Sequence, residues 1–146
     1  MGTSYSIANS SLRICIDRAE GGNISGEIYS QRLTRPMHFG DVGSLFLKLE
    51  GLFEEQNYPQ AFQRMRSFGS GKPNCPEAAT DTEAGMPQDA VRRAEGAVMS
   101  FDLYVLTRRY ASWQGFVVWE DKSRTEFDSA LEILHLLGER LEELKK

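Results

Sequence analysis

Cysteine and histidine are scarce, with two of each in 146 residues. Cys15 lies in an apolar alternating run and reads as a buried thiol; Cys75 lies in a Gly/Pro-rich stretch and reads as exposed. Cysteines so differently set make no disulfide framework, and a reducing compartment suits them. His38 and His135 have no H-x-x-x-H or C-x-x-C partner, so no zinc site is expected. No run approaches the roughly 18 apolar residues of a membrane helix. The opening "MGTSYSIANS" has no basic stretch followed by an apolar one, so no secretory signal is expected. "MGTSYS" meets the minimal myristoylation pattern, which is short and often accidental. G-x-S-x-G, P-loop and G-x-G-x-x-G motifs are missing. "GSGKP" (Gly69 to Pro73) lacks the phosphate-loop spacing and a following Ser or Thr. These absences leave no expected cofactor or metal, no membrane partner, and a cytoplasmic location.

What is present is enough for one core. The chain is 40% hydrophobic and 10% aromatic, which excludes global disorder, and its length predicts a single domain over 1–146. A formal net charge of -4 disfavours general attraction to phosphate backbones, so nucleic acid is not an expected partner.

An internal repeat organises the chain. "LRICIDRAEGGNISGEIYS" (Leu12 to Ser30) lies over "FDLYVLTRRYASWQGFVVW" (Phe101 to Trp119) at an offset of 89 without a gap. Leu12, Ile14 and Ile16 fall on Phe101, Leu103 and Val105; Ile24, Gly26 and Ile28 fall on Trp113, Gly115 and Val117. At an offset of 88, Phe39 then falls on Phe127, Leu45 on Ile133, Leu49 on Leu137 and Phe53 on Leu141. Few pairs are identical, but apolar meets apolar throughout, as expected of two copies of one unit.

Each unit reads as two strands with period-two alternation, a short extended piece and a helix. The glycine inside the second strand marks a bulge or a close approach. Ser129 with Glu132 has the capping-box spacing, and Asp41 can cap the first helix. The prediction is an α+β fold: two tandem β-β-(β)-α units forming one antiparallel sheet, with two helices on one face. Unit one spans 11–57 and unit two 98–146. A short helix or turn segment at 58–66 carries Phe62 and Met65, and 67–97 is a mobile linker in which "QDAVRRAEGAV" can form a helical turn.

The "WQGFVVW" stretch followed by "FDSALEIL", together with "SLRICIDRAEGGNISGEIY" and "YPQAFQRMRSF", resembles a group of small uncharacterised bacterial proteins of clostridial type. The resemblance covers most of the chain outside the linker. It implies a bacterial protein of this parse and brings no activity with it.

Alternation assigns the strand faces. Both tryptophans fall on the helix-bearing face, with Trp113 in the core and Trp119 partly exposed at a strand end. Outward, unit one shows polar side chains. Unit two shows Tyr104, Leu106, Phe116 and Val118, an apolar strip without a helix to cover it, with Arg108 beside it. The leading expectation is therefore a non-enzymatic interaction or regulatory module, homodimeric through that strip, with another protein partner as a further occupant. The alternative is a binder of a small ligand or nucleotide, in a cleft between the units. Arg32, Arg35, Arg108 and Arg109 would meet phosphates there, and Tyr110 or Trp119 would stack. An enzyme ranks third, and its best general base would be His38.

Overall fold

The computed structural model describes residues 10–21, 23–56, 58, 75–80, 84–109 and 112–144. Six strands make one antiparallel sheet in the order β3-β2-β1-β4-β5-β6. They are β1 (Leu12–Glu20), β2 (Asn23–Tyr29), β3 (Met37–Phe39), β4 (Met99–Arg109), β5 (Ser112–Val118) and β6 (Arg124–Phe127). Two long helices, α1 (Val42–Gln56) and α3 (Ala130–Leu144), follow β3 and β6, and the short α2 (Gln88–Arg93) precedes β4. The expected α+β class and single antiparallel sheet are therefore present. No described helix is long and apolar enough to cross a membrane.

Alternation decides the core. Leu12, Ile14 and Ile16 of β1 and Phe101, Leu103 and Val105 of β4 are buried against Leu45, Leu49, Leu52 and Phe53 of α1 and Ile133 and Leu137 of α3. Both helices thus bury their apolar stripes on the same sheet face. Asp41 caps α1 by accepting the Ser44 N–H at 2.6 Å. Ser129 Oγ accepts the Glu132 N–H at 3.2 Å, half of the expected capping box. The other half is displaced by one residue: Glu132 Oε1 accepts the Asp128 N–H at 2.9 Å.

The register is irregular at two places. β1 bulges against β2 between Ile16 and Arg18, and β4 against β5 between Val105 and Thr107. Ile16 lies opposite Gly26, and Val105 opposite Gly115. At the centre of the sheet Arg13 lies opposite Asp102, and their side chains pair at 3.2 Å.

The connection between α1 and β4 is packed where it is described. Leu33 and Ala78 form an isolated antiparallel bridge, the Ala79 N–H donates to the Arg32 carbonyl at 2.9 Å, and the Met86 N–H donates to the Leu33 carbonyl at 2.7 Å. Further along, Arg13 Nε donates to the Ala94 carbonyl at 3.0 Å and the Ala97 N–H donates to Asp17 Oδ1 at 3.0 Å, so residues 94–97 reach across β1. Cys75, expected at the surface, is instead buried, with its Sγ 3.6 Å from Met37 Sδ. The reason is the bridge at Ala78, which folds this Pro-containing turn back on the edge of the core. Phe62, Met65 and "GSGKP" lie outside the described residues.

Candidate functional site

Two arginines from distant parts of the chain meet over Phe53 on α1. Arg32, in the turn after β2, and Arg108, near the end of β4, place their guanidinium carbons 5.1 and 6.0 Å from the Phe53 ring centre. Both are buried, at 1% and 4% exposure. Arg32 Nε donates to Gln56 Oε1 at 2.9 Å, and its Nη2 donates to the Tyr58 carbonyl. Arg108 Nη1 donates to Glu54 Oε1 at 3.1 Å and lies 4.0 Å from Glu50 Oε1. Glu50 also accepts the Trp113 indole N–H at 2.8 Å. The Trp113 ring packs 5.3 Å from Phe46 and 5.1 Å, edge-on, from Phe53.

Arg108 is a correction to simple alternation. Period two carried past Val105 puts it on the outer face beside Leu106. The bulge between Val105 and Thr107 adds a residue and reverses the parity, so Arg108 pairs with Trp113 on the inner face. Of the six residues expected to grip a ligand, the structure brings together Arg32 and Arg108, inside the molecule. Arg35 is exposed in the turn before β3. Trp119 is buried in the core, 5.5 Å from the Phe101 ring. Tyr110 and the side chain of Arg109 lie outside the described residues. Glu50, which holds Trp113, is not singled out by the sequence, and Glu54, which holds Arg108, reads there as part of an acidic pair with Glu55 on a solvated helix end. Their i, i+4 spacing on α1 is the only signal for them.

The outer face of β4 and β5 carries the expected strip, with a cover that the sequence did not suggest. The Tyr104 and Phe116 rings stack at 4.5 Å and 16°. Arg124 of β6 lays its guanidinium 3.6 Å from the Phe116 ring centre. Phe116 is thereby buried to 7% exposure within one chain, while Leu106 remains 41% exposed. Tyr104 and Val118 are half-buried. The signal for Arg124 lies in the β5–β6 register, which sets it opposite Val118, diagonal to Phe116.

A third cluster lies at the end of β5. Arg140 of α3 covers the Trp119 ring at 4.5 Å and donates to Ser123 Oγ at 3.3 Å. The cleft beside them, 320 Å³, is lined by Met99, Trp119, Asp121, Arg140 and Glu143. Hydrogen bonds from the Ser123 hydroxyl and N–H hold the Asp121 carboxyl below its usual range.

Of the two histidines, His38 is exposed and 3.6 Å from Glu27 Oε2, and His135 is exposed on α3. Among the described residues no group of three or more His, Cys, Asp or Glu side chains is placed to hold a metal ion. Both cysteines are free thiols. Burial pushes the Cys15 thiol from 9.0 up to about 11, against a lowering hydrogen bond with Ser100. Cys75 is raised by the same cause.

The raised thiols predict a pH dependence. Between the unfolded and folded values the unfolded chain has released a proton that the native state keeps, so stability falls as pH rises. The decline is expected to run from pH 9 to about 11 for Cys15 and to be shallower in Cys15→Ala. Urea unfolding at pH 8, 9.5 and 10.5 measures it; identical profiles for the two proteins would contradict the assignment.

No family model matches the chain, nor does any curated protein or solved structure.

Proposed function

We propose that the chain is built from two copies of one β-β-β-α unit and acts as a non-enzymatic interaction module, pairing with a second copy through the outer face of β4 and β5. The two-copy reading is supported by the backbone as well as by apolar matching. The bulges after Ile16 and Val105 are 89 residues apart, as are the glycines opposite them. Arg13 and Asp102, also 89 apart, face each other, which is where a local two-fold relating the copies would run. The free thiols fit a cytoplasmic setting.

One observation carries the pairing: Leu106, 41% exposed, continues the strip beside the half-buried Tyr104 and Val118, while Arg124 covers only the Phe116 ring. Arg124 and Glu126 of β6 border this strip with charges of both signs, so it can meet its own copy about a two-fold axis. Light scattering is expected to give about twice the 16.5 kDa chain mass. Leu106→Asp should return it to one chain mass while the chain stays folded, because Leu106 is 41% exposed and lies outside the core cluster; its melting temperature should fall only by what the partner subunit contributes. Wild-type protein that stays at one chain mass up to high concentration removes the claim.

A second reading, a small-ligand binder, is favoured by a separate feature: a 170 Å³ cleft between the β1–β2 hairpin, α1 and α3.

A further inference from the structure

On the inner face of the β4–β5 hairpin Arg108 lies opposite Trp113, and on that of the β1–β2 hairpin Ala19 lies opposite Ile24. These positions are 89 apart. The helix above each hairpin corresponds too, at an offset of 88: Phe46, Glu50, Phe53 and Glu54 of α1 match Leu134, Gly138, Leu141 and Glu142 of α3. At the β4–β5 end the space is filled. The Trp113 indole is wedged between Phe46 and Phe53, its N–H is held by Glu50, and the Arg108 guanidinium is held by Glu54.

At the β1–β2 end the large side chains are replaced by small ones. Ile24 stands for the indole, Ala19 for the arginine, Gly138 for Glu50, and leucines for both phenylalanines. What remains is the 170 Å³ cleft, lined by Ala19, Ile24, Leu134, Leu137 and Leu141, with Asn23 and Glu142 among its walls. An apolar cavity of about 150 Å³ is enough to hold a benzene ring.

We propose that this cleft binds a small arylalkyl ammonium compound. The ring takes the place that Trp113 fills at the other end, and the ammonium is directed to Glu142 as the Arg108 guanidinium is to Glu54. The proposal rests on the two-copy reading and gives the ligand-binder reading its site and ligand class. An apolar wall with one carboxylate in it selects a ring with a positive arm over a neutral or anionic analogue.

Tryptamine, 3-methylindole and indole-3-acetate are the probes, followed by amide chemical shifts of the whole chain. Tryptamine is expected to shift Ile24, Gly138 and Leu141 at millimolar concentration or below, 3-methylindole to bind more weakly, and indole-3-acetate weakest. Glu142→Gln should weaken tryptamine about fivefold and leave 3-methylindole unchanged. Ile24→Trp should fill the cleft, remove binding and raise the melting temperature. Gly138→Leu fills it from the helix side, where an added Cβ meets nothing within 4 Å, and should also remove binding. No shifts at these amides, or binding that survives both filling variants, overturns the site. Equal affinity for tryptamine and indole-3-acetate overturns the ammonium assignment. A raised melting temperature in Ile24→Trp without probe binding leaves the two-copy reading standing and sinks the ligand. Probe binding with a lowered melting temperature in that variant keeps the site and sinks the correspondence.

Discussion

Gly115→Ala is expected to destabilise the fold by about 3 kcal/mol or more, a large part of a small domain's total. A Cβ at this position would stand 1.8 Å from the Tyr104 carbonyl oxygen and 2.9 Å from its carbon. Both atoms are backbone of the adjoining strand, held by the sheet, so no side chain can turn aside to make room. Either β4 and β5 separate at the bulge, losing ladder hydrogen bonds, or the bulge is lost and the parity beyond it reverses. In the second case Arg108 leaves the inner face, and Trp113 loses its neighbour across the ladder. Gly26→Ala should cost a similar amount, because its Cβ would stand 1.9 Å from the Cys15 carbonyl oxygen. Urea midpoints for both variants test this; a shift no larger than that of an exposed control such as Leu131→Ala would refute the packing argument.

Arg32→Ala is expected to cost about 4 kcal/mol. The side chain is among the largest that are fully buried. Truncation removes its packing on Phe53 and leaves Gln56 Oε1 and the Tyr58 carbonyl without this donor. Gln56 loosens in turn, and it is the clamp of this corner: its Nε2 donates to the Arg32 carbonyl at 2.9 Å and to the Ala79 carbonyl at 3.1 Å. Arg32→Met keeps most of the volume and should recover about half of the loss. Arg32→Lys should recover less than its charge suggests, since an ammonium cannot serve divergent acceptors as a guanidinium fork does. Thermal unfolding of the three variants gives the ladder. An alanine variant that melts with the wild type would show that the arginine is not structural, and would return it to the candidates for ligand contact.

Most of the architecture is legible in the sequence. Leu12, Ile14 and Ile16 alternate, Val42 through Phe53 follow helical spacing, and these two periods assign strand and helix because each buries one face. Asp41 and Ser129 marked both helix starts through their capping oxygens. The glycines at 26 and 115 were read as marks of bulge or close approach, and the structure supplies both. The parity beyond each bulge was not legible. One extra residue in a strand moves every following side chain to the other face, and a linear pattern carries no direct sign of it. Arg108 was therefore placed outside, and the cluster of Arg108, Glu50, Glu54 and Trp113 went unseen.

The cover of Phe116 was hidden for a different reason. Arg124 sits on the next strand and meets it only across the β-ladder, by a cation–π contact whose diagonal register the linear pattern does not show. Cys75 was misplaced because a Gly/Pro-rich composition describes local backbone preference, while burial depends on what the segment lands on.

By itself the sequence determined the period of each element, the helix caps and the apolar inner faces, since all of these depend on neighbours a few residues apart. Tertiary structure decided the parity after the bulges, the inward turn of Arg32 and Arg108, the Arg124 cover and the unfilled cleft under α3. Those depend on which distant groups share a volume, and packing fixes that only once the chain has closed.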